Sequence, residues 1–284
     1  MNQQLLFEPL SFGMMLDRTF RLYLNNIWLM LSIALIANMP LILITLVSLG
    51  FAPGMAQAGL GDGPLFWFLI TLGGLGTLAV TILVMTLSTG AATYAISNRY
   101  LGRDVTVSDC YKAAFSRFGA LFWAQLVVGL LTLLGTLLCI IPGIYVAVIY
   151  MLLVPVVMLE GQGASDSRAR ANKLLEDYRW VGFGLAVIYA LVSGSFSGGI
   201  HFASVMFVMA DLPPALIVVT TDFIPLLVEI VITPLASIGI IVLYYDCRIR
   251  KEGYDLELMA ENLNYFDLNS SHEPNVTPGV DSPE

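Results

Sequence analysis

Charge is what this sequence has least of. Only 12% of its 284 residues are Asp, Glu, Lys or Arg, where a soluble globular chain carries about 25%. Whole stretches have none: Leu22 to Gly61, Gly63 to Asn98, Phe118 to Leu159 and Trp180 to Ala210. A bilayer span needs about 20 apolar residues, so each of these can cross a membrane, and an ordinary soluble domain is excluded. The groups of enzyme chemistry are scarce too. There are two histidines, far apart, and no P-loop, GxSxG, HExxH, GxGxxG or paired-cysteine motif, so the sequence is read as non-enzymatic, with no cofactor, no metal and no nucleic-acid partner. Cys110, Cys139 and Cys247 form an odd set without paired spacing and read as small hydrophobes rather than as a disulfide framework. The first apolar run lies too far in, and is too long, for a secretory signal peptide.

What is present is hydrophobic: 57% of the chain. The expected fold class is all-α, a polytopic membrane protein with six transmembrane helices at about 27–50, 65–96, 120–140, 143–159, 180–208 and 223–246. The run from Phe118 to Leu159 is about two spans long, and Pro142-Gly143 near its centre predicts a turn and a tight helical hairpin. Residues 1–26 form an N-terminal segment, 27–250 the membrane domain, 251–263 a short amphipathic helix, and 264–284 a disordered acidic tail.

The cations set the orientation. Arg18 and Arg21 precede helix 1; Arg99, Arg103, Lys112 and Arg117 separate helices 2 and 3; Arg168, Arg170, Lys173 and Arg179 separate helices 4 and 5; Arg248, Arg250 and Lys251 follow helix 6. These are all 13 Lys and Arg of the chain, and the other three connections have none. The positive-inside rule then puts both termini in the cytoplasm and the helices in three hairpins. The net charge of -8 does not oppose this, because acidic residues contribute little to orientation.

Three cytoplasmic segments, SFGMMLDRTFRLYLNNIW, VSDCYKAAFSRFGALFW and ASDSRARANKLLEDYRW, share helical character, mixed charge and a closing Trp. They predict short interfacial helices leading to Trp28, Trp123 and Trp180. The first carries an apolar face of Phe12, Leu16, Phe20, Tyr23 and Ile27; the second and third are expected to be capped by Ser108 and Ser165. Plain anchoring is the simple alternative to lipid sensing or partner binding.

Ionisable groups inside a membrane are functional candidates by default. Glu229, between Pro225 and Pro234 in helix 6, is the leading one, with His201 the only basic side chain that could approach it. The competing reading is a carboxyl bonded to a neighbouring helix, since no second carboxylate or ordered polar stripe is evident. Asp211 and Asp222 bracket an outer loop and most simply solvate it. Gly194-x-x-x-Gly198, Ser195-x-x-x-Gly199 and Gly73-Gly74-x-Gly76 allow close helix approach, expected within the bundle.

The closing YYDCRIRKEGYDLEL divides into an aromatic belt (Tyr244, Tyr245), a cationic stop (Arg248, Arg250, Lys251) and a cap at Asp255. Asp246–Arg250 and Arg248–Glu252 are spaced as i,i+4 pairs, and Gly253 is placed to end the helix. Together Tyr244, Tyr245, Asp246, Arg248, Arg250, Lys251 and Asp255 read as a cytoplasmic docking element. This stretch, with FGMMLDRTFRLYLNN and IPGIYVAVIYMLLVPVVMLEGQG, resembles a family of bacterial six-helix membrane proteins similar to the membrane domain of glycerophosphoryl diester phosphodiesterases. The resemblance spans about residues 8 to 260. It implies the fold and a bacterial inner membrane, but not the phosphodiesterase activity, which belongs to a separate soluble barrel.

Two functions follow as expectations. One is a scaffold or accessory subunit engaging a lipid or a protein partner at the cytoplasmic face. The other is a carrier or flippase for a lipid-like or small hydrophobic solute, with Glu229 as coupling residue. A polar cavity reaching Glu229 favours the second; a packed bundle with Glu229 hydrogen-bonded favours the first.

Overall fold

The computed structural model describes residues 10–57, 63–210, 213, 216–217 and 219–253. Among them every regular element is helical: α1 (Phe12–Asn25), α2 (Ile27–Gln57), α3 (Pro64–Tyr100), α4 (Val107–Ser116), α5 (Phe118–Leu138), α6 (Ile140–Ile149), α7 (Leu153–Pro155), α8 (Ala164–Leu175), α9 (Arg179–Met209) and α10 (Ile224–Glu252). Six helical segments are long and apolar enough to cross a membrane. The tail 264–284, Asp255, Asp211 and most of the expected helix 251–263 lie outside the described residues. Lys251 and Glu252 are the last turn of α10, which ends at Gly253 with φ 62°, a left-handed conformation that glycine adopts without a Cβ clash.

The expected turn at Pro142-Gly143 is corrected. The chain breaks at Cys139, whose backbone is extended, and Pro142 and Gly143 lie in the first turn of α6. Proline is tolerated there because a first-turn N–H has no intrahelical acceptor. Gly143 serves close packing: a Cβ on it would collide with the Thr136 side chain and come within 2.8 Å of the Thr136 nitrogen in α5. The span expected over 143–159 is present as one apolar segment, Ile140–Glu160, which is not one continuous α-helix. A turn follows α6, and the π-helical turn Val156–Glu160 follows α7.

All three expected short helices form, as α1, α4 and α8, but two caps differ. Thr106, not Ser108, caps α4. Its hydroxyl bonds Asp109 in a reciprocal capping box, which holds the exposed Asp109 carboxyl below its usual pKa. Gly163 precedes α8 in place of Ser165 and gives no side-chain cap bond. Met15, Thr19 and Tyr23 of α1 enter the core; of the expected face, Tyr23 is among them, Leu16 and Ile27 pack against it, and Phe12 and Phe20 are exposed. Trp28, Trp123 and Trp180 are exposed.

α10 is the central helix. Of its most apolar window 50% is buried, against 6% for the windows containing α3 and α9. Ile238, Ile241, Val242 and Leu243 of α10 meet Ala91 and Ala95 of α3, Leu121 of α5, and Leu152 and Val156 in one core. The glycines expected to pack inside the bundle do not: a Cβ at Gly73, Gly74, Gly76, Gly194, Gly198 or Gly199 would meet no atom within 4 Å.

Candidate functional site

The residues expected to dock a partner are largely turned inward. Tyr244 is fully buried, Tyr245 is 3% exposed and Asp246 2%. Tyr244 Oη donates to Glu160 Oε1 at 3.1 Å. Glu160 also takes Arg170 Nε at 2.8 Å and Gln162 Nε2 at 3.2 Å. Arg170 continues to Glu252 at 2.5 Å, Arg248 Nε donates to Glu252 at 3.2 Å, and Arg248 Nη1 reaches Tyr244 Oη at 3.5 Å. The result is a closed ring that fastens the π-helical turn and α8 to α10.

Asp246 accepts the Leu10 backbone N–H at 2.8 Å and Arg250 Nε at 2.9 Å, the expected i,i+4 pair. Arg250 also donates to the Leu10 carbonyl at 2.8 Å, so α10 grips the chain just before α1. Tyr245 Oη and Ser97 Oγ are 2.7 Å apart, and the Tyr245 ring stacks on Tyr100 at 4.8 Å, itself under the Arg18 guanidinium. Lys251 pairs with Asp177 at 2.6 Å and donates to the Lys173 carbonyl. The element therefore acts as an internal clasp. In a membrane, where lipid weakens the hydrophobic drive for helix association, such polar contacts and close packing carry much of the specificity. Beside the clasp, burial pushes the Cys110 thiol up to about 11.

Away from the clasp, residues of α9 and α10 line a cavity of about 340 Å³ at Glu229, with Tyr189, Ser193, Ser197, Glu229 and Thr233 supplying its polar groups. Among the described residues Glu229 has no hydrogen-bond or ion-pair partner. His201 is exposed on α9 and is not among the described residues of this lining. Among the described residues no group of three His, Cys, Asp or Glu could hold a metal ion.

A second cavity of about 300 Å³ adjoins the first and shares Tyr189 and Thr233 with it; its walls are mainly apolar and include Leu16 and Phe20 of α1, Leu185 and Val192 of α9, and Ala236 and Ile240 of α10. The two cavities meet at Tyr189 and Thr233, and we treat them together as a groove, polar at Glu229 and apolar towards α1. On its outer side an apolar shelf of Phe196, Ile224, Leu227 and Val231 shares Val228 and Ile232 with the Glu229 cavity.

The polar lining was missed in the sequence although its signal is there. Tyr189, Ser193 and Ser197 recur every four residues along α9, the spacing of one helix face, and they form the stripe that seemed absent. Glu160 and Arg170 were missed because their partners are 84 and 10 residues away. Of the apolar face expected on α1, Leu16 and Phe20 border the groove. No family model, no curated protein and no solved structure matches the chain.

Proposed function

We propose that this chain is a carrier or flippase that admits a lipid-like or small hydrophobic solute to the groove between α9 and α10, with Glu229 as its coupling residue. The observation that carries this reading is the cavity at Glu229, an exposed carboxyl without a partner among the described residues on the wall of a partly open space. An intramembrane ionisable group facing a cavity, rather than a neighbouring helix, is the usual mark of a substrate or proton path. The scaffold reading has less support, because the side chains expected to bind its partner are engaged with α1, α3, α8 and the π-helical turn. Reconstituted in vesicles, the wild type should move a fluorescent single-chain amphiphile between leaflets in a pH-dependent way, and Glu229→Gln should slow it about tenfold or more. Flux unchanged by the substitution would remove Glu229 from the mechanism.

The proposed setting is the inner membrane of a bacterium, as the family resemblance implies. The arrangement is three hairpins, with both termini, the clasp and α1, α4 and α8 at the cytoplasmic face, as the cation distribution implies. Cys139, exposed at the α5–α6 turn, reports on this, because Cys110 and Cys247 are buried. An impermeant maleimide added outside intact cells should label Cys139 alone. Labelling only after the cytoplasmic side is opened would reverse the topology.

A further inference from the structure

We infer that the occupant of the groove is a single-chain amphiphile with an amine head, seated with the head at Glu229 and the chain running along α10 towards α1. This rests on the reading of the groove as a solute site and adds the chemistry of the solute. Three features of the lining support it.

The first is charge. Among the described residues, no Lys, Arg or His lines either section of the groove and Glu229 is its only carboxyl. The clasp cations lie at the far end of α10, about 22 Å away along the helix from Glu229 to Tyr244. A phosphate or carboxylate head would meet an acid with no cation to offset it, in surroundings where charge interactions are poorly screened. An ammonium head supplies the counter-charge that Glu229 lacks, and the Ser193, Ser197 and Thr233 hydroxyls beside it can accept its remaining N–H bonds.

The second is shape. Along α10 the apolar section is lined from Thr233 to Ile240, with Leu16 and Phe20 of α1 also among its walls. From Glu229 to Ile240 the helix rises about 16 Å. At about 300 Å³ this section is at the small end of ligand pockets, which run from about 300 to 1,000 Å³. Its dimensions suit one alkyl chain and not two.

The third is access. The shelf beside Glu229 is built from Phe196, Leu227 and Val231, each 42–54% exposed, so the polar end of the groove meets an apolar surface that bilayer lipid covers. A molecule already in the membrane reaches the carboxyl sideways, without passing through water.

The test is native mass spectrometry of the detergent-solubilised full chain, titrated with dodecylamine, dodecanol and dodecanoate. The expected result is one saturable adduct for each, with the amine bound about tenfold or more tighter than dodecanoate, as a charge-assisted bond predicts. Glu229→Gln should erase that preference while dodecanol still binds. Ala236→Trp on α10 and Val192→Trp on α9, each filling the apolar section from one wall, should remove all three adducts. Dodecanoate binding as tightly as the amine, or a preference that survives Glu229→Gln, overturns the head assignment; the groove reading then stands if the Trp variants still abolish binding. Adducts insensitive to both Trp variants, or none that saturate, overturn the groove reading itself.

Discussion

Asp246→Ala should lower stability by about 3 kcal/mol, the cost of breaking a buried charged pair while leaving its partners in place. Asp246 is 2% exposed and satisfies two groups at once, the Leu10 N–H and Arg250. Without the carboxylate, the Leu10 N–H loses its acceptor, and the Arg250 guanidinium, 29% exposed, keeps only the Leu10 carbonyl and the Tyr178 ring beneath it. The loss should be felt first at α1, which α10 otherwise holds near the groove through Tyr23 Oη on the Val231 carbonyl at 2.9 Å. Asp246→Asn keeps an acceptor for Leu10 and should cost less, about 1 kcal/mol. Thermal unfolding in detergent, with limited proteolysis of the N-terminal segment, measures both. An Asp246→Ala protein within about 0.5 kcal/mol of wild type, the range of an ordinary surface substitution, would show that the clasp does not hold the fold.

The second large effect is expected at Gly143, where valine should destabilise by about 3 kcal/mol, the upper part of the usual overpacking range. A Cβ there meets the Thr136 nitrogen at 2.8 Å and its Cα at 2.9 Å. These are backbone atoms of α5 that no rotamer change can move, so α5 and α6 must separate. The partner contact is reciprocal, since a Cβ on Gly135 lies 3.0 Å from the Gly143 Cα. Gly73→Val is the control. No atom lies within 4 Å of its would-be Cβ, so it should change stability by less than about 1 kcal/mol. Unfolding midpoints of the two variants in the same detergent make the comparison. Equal losses at both sites would mean that the α5–α6 contact is not a tight one.

The six spans were legible because their signal is local: twenty or so residues without charge are visible without knowing what they touch. The α4 cap was legible in kind but not in residue: Ser108 is the expected cap, and the reciprocal bonds between Thr106 and Asp109 place it two residues earlier. Pro142-Gly143 misled for a definite reason. The pair breaks helices in soluble loops, yet proline costs little in a first turn and glycine has a second use in helix contact. The exposed glycines of α3 and α9 misled in the opposite direction, because a small residue permits a neighbour without requiring one.

The site divides in the same way. Glu229 stood out from sequence because a carboxyl inside a span is rare. The groove did not, because its walls come mainly from α1, α9 and α10, which are far apart in the sequence. The docking element was read correctly in its helical pairs, Asp246 with Arg250 and Arg248 with Glu252. Its role changed because Leu10, Ser97 and Glu160, distant in sequence, occupy the same side chains.

The most direct test of the central claim, that the α9–α10 groove carries a solute through the membrane, is the vesicle flux assay run on wild type beside Ala236→Trp, which blocks the apolar section and leaves Glu229 and the clasp unaltered. The account predicts leaflet-to-leaflet movement of the single-chain amphiphile by the wild type and none above protein-free vesicles by the variant; equal rates in the two would contradict it.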